Sequence, residues 1–288
     1  MRRARASSPV AGQVVLITGA ARGIGAATAR ELHARGARVA LVGLEPELLN
    51  ALAAELGPHA AAFEADVTDR AALDAAVAGT VARFGGIDVV IANAGVAPVG
   101  TLATLDDAAW DRTIEVNLLG VHRTIRAALP HVIERRGYVL PIASLAAAIH
   151  LPMMSAYAAS KAGVEALANA LRVELAPRRV AVGCAYFSFI DTDMVREARD
   201  HPSTQASGLI GGVAPLADAV TAIADGIEHR ARRVYAPRWV GPLLWARGFV
   251  NPLTGLAAMR RRDVRDAIAV AEQNPRGPGS GPLAPPRR

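Results

Sequence analysis

The chain is short of lysine, cysteine, aromatic rings and long apolar runs, and each shortage narrows what it can be. Its single cysteine, Cys184, allows no disulfide within the chain, which suits a reducing cytoplasm. Cys184 also sits in an apolar run, Val180 to Phe187, where a thiol is packed rather than reactive. Aromatic residues are 4% of the chain, so the core must be built from Ala, Val, Leu and Ile. No aromatic RNA-binding motif and no zinc-finger spacing is present. The start, Met1-Arg-Arg-Ala-Arg, lacks the apolar segment of a signal peptide. A membrane-crossing helix needs about 20 mostly apolar residues, and Arg247, Asn251, Pro242 and Pro252 interrupt the one region that approaches this. The net charge of +6 comes from the ends. Residues 226–288 hold twelve arginines against four acids, and three more arginines fall in the first eight residues. Such a charge is weak support for nucleic-acid binding, and none is expected.

What is present is a regular alternation. Apolar runs at Val14–Thr18, Arg38–Val42, Ala60–Glu64, Ile87–Ala92, Tyr138–Ala143, Val180–Phe187 and Arg233–Ala236 read as strands. Helical stretches separate them, at Ile24–Arg35, Pro46–Leu56, Ala71–Phe84, Asp106–Arg136, Ser155–Leu175 and Asp218–Arg230. The longest, Asp106–Arg136, is expected to bend near Pro130. Alternating strands and helices imply a parallel sheet covered on both faces, a doubly wound α/β (Rossmann) fold in one domain with a C-terminal helical extension. The expected organisation is a flexible basic segment at 1–11, a catalytic domain at 12–237, an apolar and basic extension at 238–273, and a disordered tail at 274–288.

Of the 32 basic side chains, 31 are arginine and one is Lys161, in Tyr157-Ala-Ala-Ser-Lys161. A tyrosine four residues before a lysine shares its helix face. A buried ammonium there favours tyrosinate and lowers the phenol pKa from roughly 10 toward neutrality. By itself such a pair is common by chance. A second feature, Thr18-Gly19-Ala-Ala21-Arg22-Gly23-Ile24-Gly25, joins the first strand to the first helix. Glycines there let a pyrophosphate approach the helix N-terminus. Three residues and then one separate these glycines, where the common dinucleotide fingerprint has one and then two.

With Tyr157-x-x-x-Lys161, that glycine spacing resembles the short-chain dehydrogenase/reductase family, over roughly residues 12–237. The resemblance extends to Asp66-Val67 after the third strand, Asn93-Ala94-Gly95 after the fourth, Asn117 in a helix, and Ser144 thirteen residues before Tyr157. Ile190 and Thr192 match the loop that holds the nicotinamide carboxamide. The resemblance implies an NAD(P)-dependent enzyme that interconverts alcohols and ketones by hydride transfer. Tyr157 is then the acid and base, Lys161 lowers its pKa and binds the ribose, Ser144 bonds the substrate oxygen, and Asn117 holds a water leading from Lys161 to solvent. The bland readings are that Ser144 caps a strand end and that Asn117 bonds backbone within its helix. No metal is implied. Homodimers or homotetramers are implied, through helices matching Asp106–Arg136 and Ser155–Leu175.

Three departures matter. Phe187-Ser188 stands where the family usually has Pro-Gly. No acid ends the second strand, where Gly43, Leu44 and Glu45 follow one another. Arg22 could pair with a 2′-phosphate while Glu45 could reach a ribose, and the balance leans to NADP over NAD. The chain also continues about 50 residues past the last strand. Its apolar segments at 239–262, flanked by arginine and tryptophan, fit either packing on a subunit or peripheral contact with a membrane, and packing is favoured. The expected location is the cytoplasm. Leu145, Ile149, Leu151, Met153, Met154, Phe187 and Phe189 suggest an apolar substrate wall and a lipophilic alcohol or ketone. His150 reads as a surface residue, and the loop from Asp200 to Gly212 as a mobile lid. The rival readings are a sugar-nucleotide epimerase and a non-enzymatic cofactor-binding or membrane-docking scaffold.

Overall fold

The computed structural model describes residues 10–200 and 212–273. Six strands, β1 Val14–Thr18, β2 Arg38–Gly43, β3 Ala60–Glu64, β4 Val89–Ala92, β5 Tyr138–Pro141 and β6 Ala181–Val182, form one sheet in the order β3-β2-β1-β4-β5-β6. Every pairing is parallel, with Leu16 of β1 opposite Ala40 of β2 and Val90 of β4. Between strands run α1 Gly23–Ala34, α2 Pro46–Leu56, α3 Arg70–Phe84, α4 Asp107–Ile114, α5 Val121–Glu134 and α6 Ser155–Glu174. Strands β1, β4 and β5 are buried at every residue, as central parallel strands must be. Alternate residues serve opposite faces. Leu16, Val90 and Val139 pack with Leu73, Ile125 and Val164, whereas Ile17, Ile91 and Leu140 pack with Leu32 and Ile223. The strand order reverses between β1 and β4, which opens a crevice at the carboxyl ends of the strands.

Two expected elements are broken. The apolar run Val180–Phe187 is not one strand: β6 is followed by Gly183 and Cys184 and then by β7 Ala185–Phe187. β7 pairs in parallel with β8 Val234–Ala236, which follows α7 Asp193–Asp200 and α8 Leu216–Glu228, and a bridge from Ile142 to Ala185 keeps β7 beside β5. At the break the chain passes under Tyr138. The buried Tyr138 phenol fills the space over Gly183 and donates to the carbonyl of Ala231 at 2.7 Å. A Cβ on Gly183 would lie 2.0 Å from that oxygen. The second break is in Asp106–Arg136, which is interrupted by a π-helical segment, Glu115–Gly120, and not at Pro130, which sits inside α5. Single π segments often mark functional sites, and this one carries Asn117.

Beyond β8 the chain forms α9 Val240–Trp245, α10 Arg247–Arg260 and α11 Arg262–Gln273. Helix α9 buries Val240 and Leu244. Helix α11 buries Val264, Ala267 and Ala271, the last two packed on Met153 and Val99. Helix α10 buries nothing. No described helix is long and apolar enough to cross a membrane. The expected N-terminal segment (all but its last two residues), the expected tail, and all but the ends of the expected lid lie outside the described residues.

The Gly183 contact generates a stability prediction. Gly183→Ala must displace the Tyr138 ring, so it should destabilise the fold by about 1–3 kcal/mol. A urea titration of wild type and variant measures it. An unchanged midpoint would mean that Tyr138 yields to a Cβ at no cost.

Candidate active site

The carboxyl ends of β1 to β5 open onto a cavity of about 350 Å³. Its wall runs from the glycine turn, past Gly43, Glu45, Asp66 and Asn93, to Ser144, Tyr157 and Lys161. Ala21, Gly23, Ile24, Val67, Ala94, Gly95, Ile190 and Thr192 line it as well. Of the catalytic and cofactor-binding residues expected from sequence, only Gly25 and Asn117 stand behind the wall. Gly25 is the position that packs the turn against α1, since a Cβ there would meet the carbonyl oxygen of Gly19 at 2.2 Å.

Asparagines hold the wall. The Asn93 amide donates to the carbonyls of Thr18 at 3.0 Å and Gly19 at 3.2 Å, tying the end of β4 to the glycine turn. Asn117 is fully buried. Its Oδ1 accepts from the Val96 N–H at 2.8 Å, and its Nδ2 donates to the Val96 carbonyl at 2.8 Å and to Ser160 Oγ at 3.2 Å. Ser160 in turn donates to the carbonyl of Tyr157 at 2.7 Å. The Asn117 side chain thus bonds outside its own helix, so the bland reading does not hold. Ser160 was not singled out from sequence, and nothing local marks it.

At the catalytic end, Lys161 is nearly buried, and its Nζ donates to the carbonyl of Ile142 at 2.8 Å and lies 5.6 Å from the centre of the Tyr157 ring. Burial holds the ammonium down, at about 8. Burial also pushes the Tyr157 phenol above its ordinary value, with a hydrogen bond from Ser144 opposing it. Burial is the largest influence on this phenol, so the expected lowering is not present in the protein's own side chains. Ser144 Oγ also accepts from the Ala146 N–H at 3.1 Å, so it caps the turn after β5 while facing the cavity. Cys184 is buried, and burial raises its thiol to about 12, which keeps it unreactive.

At the other end, the two residues weighed for cofactor choice have found each other. Arg22 Nε donates to Glu45 Oε2 at 2.9 Å, and a second bond joins the same pair. The pair is well exposed at the rim. Deeper in, Asp66 accepts from the Thr68 N–H at 2.8 Å and from Arg112 at 2.9 Å. Burial works to raise the Asp66 carboxyl, but the Thr68 and Arg112 bonds outweigh it and hold the group below its usual range. Arg112, on α4, lines the cavity and was missed from sequence, because no spacing rule links it to Asp66. A glycine-lined turn at a helix N-terminus, an open Gly43 and a fixed carboxylate at Asp66 fit a dinucleotide laid across the strand ends. Among the described residues no cluster of His, Cys, Asp and Glu is placed to hold a metal.

Beside Ser144 and Tyr157 lies a smaller apolar pocket of about 80 Å³, walled by Leu145, Ile149, Leu151, Met154, Phe189 and Met194. Phe187 and Ser188 separate it from the main cavity and line both. Met153 is not in this wall; it packs under α11. His150 is exposed. Ile190 pairs by its backbone with Ala214, which fixes the loop in spite of the missing Pro-Gly.

Comparisons with known proteins agree with this geometry. The short chain dehydrogenase family model matches residues 13–203. D-threitol dehydrogenase of Mycolicibacterium smegmatis is 38% identical over 199 residues, covering 68% of this chain and 76% of that protein. The 3-oxoacyl-(acyl-carrier-protein) reductase of Escherichia coli is 32% identical over 220 residues, covering 74% of this chain and 90% of that one. The crystal structure of 3-ketoacyl-(acyl-carrier-protein) reductase from Brucella melitensis complexed with NADH superposes with a TM-score of 0.71 at 28% identity, over 79% of this chain and 97% of that chain.

Burial of Lys161 has a signature in stability. Its folded value, about 8, lies below its ordinary 10.5, so between these the unfolded chain holds the extra proton. Stability must therefore rise with pH across that window. Relative to Lys161→Met, wild type should gain on the order of 1–3 kcal/mol from pH 8 to 10.5, measured by denaturant titration at each pH. A constant difference would show that the ammonium is not buried as described.

Proposed function

The chain belongs to the short-chain dehydrogenase/reductase family, and from that premise we propose that it interconverts a secondary alcohol and a ketone on a lipophilic substrate. As a member it is an NAD(P)-dependent oxidoreductase acting on CH–OH groups. The observation that carries the finer reading is the apolar pocket beside Ser144 and Tyr157, which has no ionised side chain among the described residues of its lining. The relatives alone leave the substrate open, since one is named for a polyol and another for a carrier-bound ketoacyl group.

In this reading the nicotinamide, when bound, supplies or receives the hydride. Tyr157 gives its phenolic proton to the ketone oxygen during reduction and takes one from the alcohol during oxidation. Ser144 bonds the substrate oxygen, where negative charge develops. Lys161 keeps a positive charge behind the ring and binds the ribose hydroxyls. Asn117 and Ser160 act on position, by fixing the Tyr157 backbone to β4. Gly19, Gly23 and the α1 N-terminus take the pyrophosphate, and Asp66, steadied by Arg112, faces the adenine. Self-association through α4–α5 and α6 belongs to the same reading, and the exposed Leu119 and Val173 on those elements support it.

The Arg22–Glu45 pair is read as the cofactor selector, with a lean to NADP. Arg22 meets the 2′-phosphate only by leaving Glu45. Glu45→Gln should then tighten NADPH severalfold, and Arg22→Ala should weaken NADPH while leaving NADH nearly unchanged. Fluorescence titration with both nucleotides measures this, and tighter NADH binding by wild type would reverse the assignment.

Substrate class is tested with a series of 2-alkanones. Each added methylene that enters the apolar pocket contributes about 0.8 kcal/mol, so kcat/KM should climb about fourfold per carbon until the pocket is full. Turnover confined to small polyols or charged ketones would overturn the lipophilic reading. Tyr157→Phe, assayed alongside, should abolish turnover with either class.

A further inference from the structure

We propose that α10 is a docking surface for an anionic lipid bilayer. The helix is built the wrong way round for one that packs on its own subunit, because a surface helix normally turns its apolar stripe inward. Here Phe249, Leu253, Leu256 and Met259, at i, i+4, i+7 and i+10, share one face, and that face points outward. Phe249 is 82% exposed, Leu253 67% and Met259 66%. The side toward the protein carries Val250, Asn251, Thr254 and Ala258, all only partly buried. Arg247 fixes this orientation, since it donates to the nearly buried carboxylate of Glu165 on α6 at 2.7 Å from the opposite side of the helix. Just before α10, Trp245 is 76% exposed, with the Arg233 guanidinium 5.1 Å from its ring centre.

The charge around this face selects the occupant. From His229 to Arg262 the sequence has eight arginines and no aspartate or glutamate. Arg260 and Arg262 close the apolar stripe at the C-terminal end of α10. An apolar stripe rimmed by cations, with Trp and Phe at one end, is what a helix lying in the interface of an anionic membrane requires. A second copy of the chain fits worse. A two-fold contact would bring the arginines of both copies to one surface, and the carboxylate next to them, Asp263, is already paired with Arg261.

The surface is also connected to the catalytic machinery. Glu165, which holds Arg247, lies one turn after Lys161 on α6 and accepts from Tyr186 at 3.1 Å, next to Phe187 of the substrate wall. Helix α11, which follows, packs on Met153 in the loop that walls the apolar pocket. Docking through α10 therefore holds that pocket at a fixed place relative to the bilayer.

Sedimentation of the full chain with vesicles tests this, using phosphatidylcholine alone and phosphatidylcholine mixed with phosphatidylglycerol in equal parts. Wild type should pellet with the mixed vesicles, not with phosphatidylcholine alone, and release as salt is added. The double variant Phe249→Asp/Leu253→Asp should lose at least about tenfold in partitioning, and Arg260→Gln/Arg262→Gln should lose binding to the anionic vesicles. Both variants should keep wild-type turnover of a water-soluble ketone, which shows that they fold. Wild type that stays in the supernatant would overturn the proposal, as would equal pelleting by the double variant. So would a double variant that changes the oligomeric state in solution, since a second copy would then cover the face.

Discussion

The two-point bond between the Asn117 side chain and the backbone of Val96 is the constraint from which the site is built. The amide takes both backbone groups of Val96 just past the end of β4, as a neighbouring strand would. Buried backbone groups left unpaired cost about 1–3 kcal/mol each, so the arrangement is strongly specified. Asn117 lies in the π segment that joins α4 to α5. From Asn117 the bonds pass to Ser160 and to the Tyr157 carbonyl, so the register of α6 against the sheet is tied to the same point. Asn93 does the corresponding work toward β1 and the glycine turn. The two halves of the cavity thus hang on one strand end.

Electrostatics follow from that geometry. Lys161 is held in a dry place by one carbonyl, and burial depresses its pKa while raising that of Tyr157. The protein's own side chains hold a neutral phenol beside a buried ammonium. A pair so placed is ready to respond to new charge or hydrogen bonds, because low dielectric magnifies both. The extension connects to this centre through Glu165, whose two carboxylate oxygens serve Tyr186 and Arg247. Replacing the extension would leave that carboxylate partly unpaired, so the last helices are energetically part of the catalytic end.

Much of this could be read in the chain before any coordinates. The alternation of apolar runs and helices yields the parallel sheet, and most element limits fall within two residues of those read. The glycine turn, Asp66, Asn93, Ser144, Tyr157 and Lys161 share one cavity. What escaped was set by contacts distant in sequence. The run Val180–Phe187 looks like one strand, yet its second half pairs with β8. Nothing in the spacing marks Asn117 as lying where the helix opens into a π segment. Arg22 and Glu45 look like competing cofactor ligands, yet they lie close enough to bond each other.

The sequence by itself determined the fold, the family and which side chains meet at the strand ends, because periodicity and motif spacing are local and the parallel topology leaves few ways to assemble them. The tertiary structure alone decided three things: the protonation balance of Tyr157 and Lys161, the partners of Asp66 and Glu165, and the outward turn of the apolar face of α10. Each depends on burial and on groups far apart in the chain. Arg112 stands 46 residues from Asp66 and Arg247 stands 82 from Glu165, and only folding brings them within a hydrogen bond.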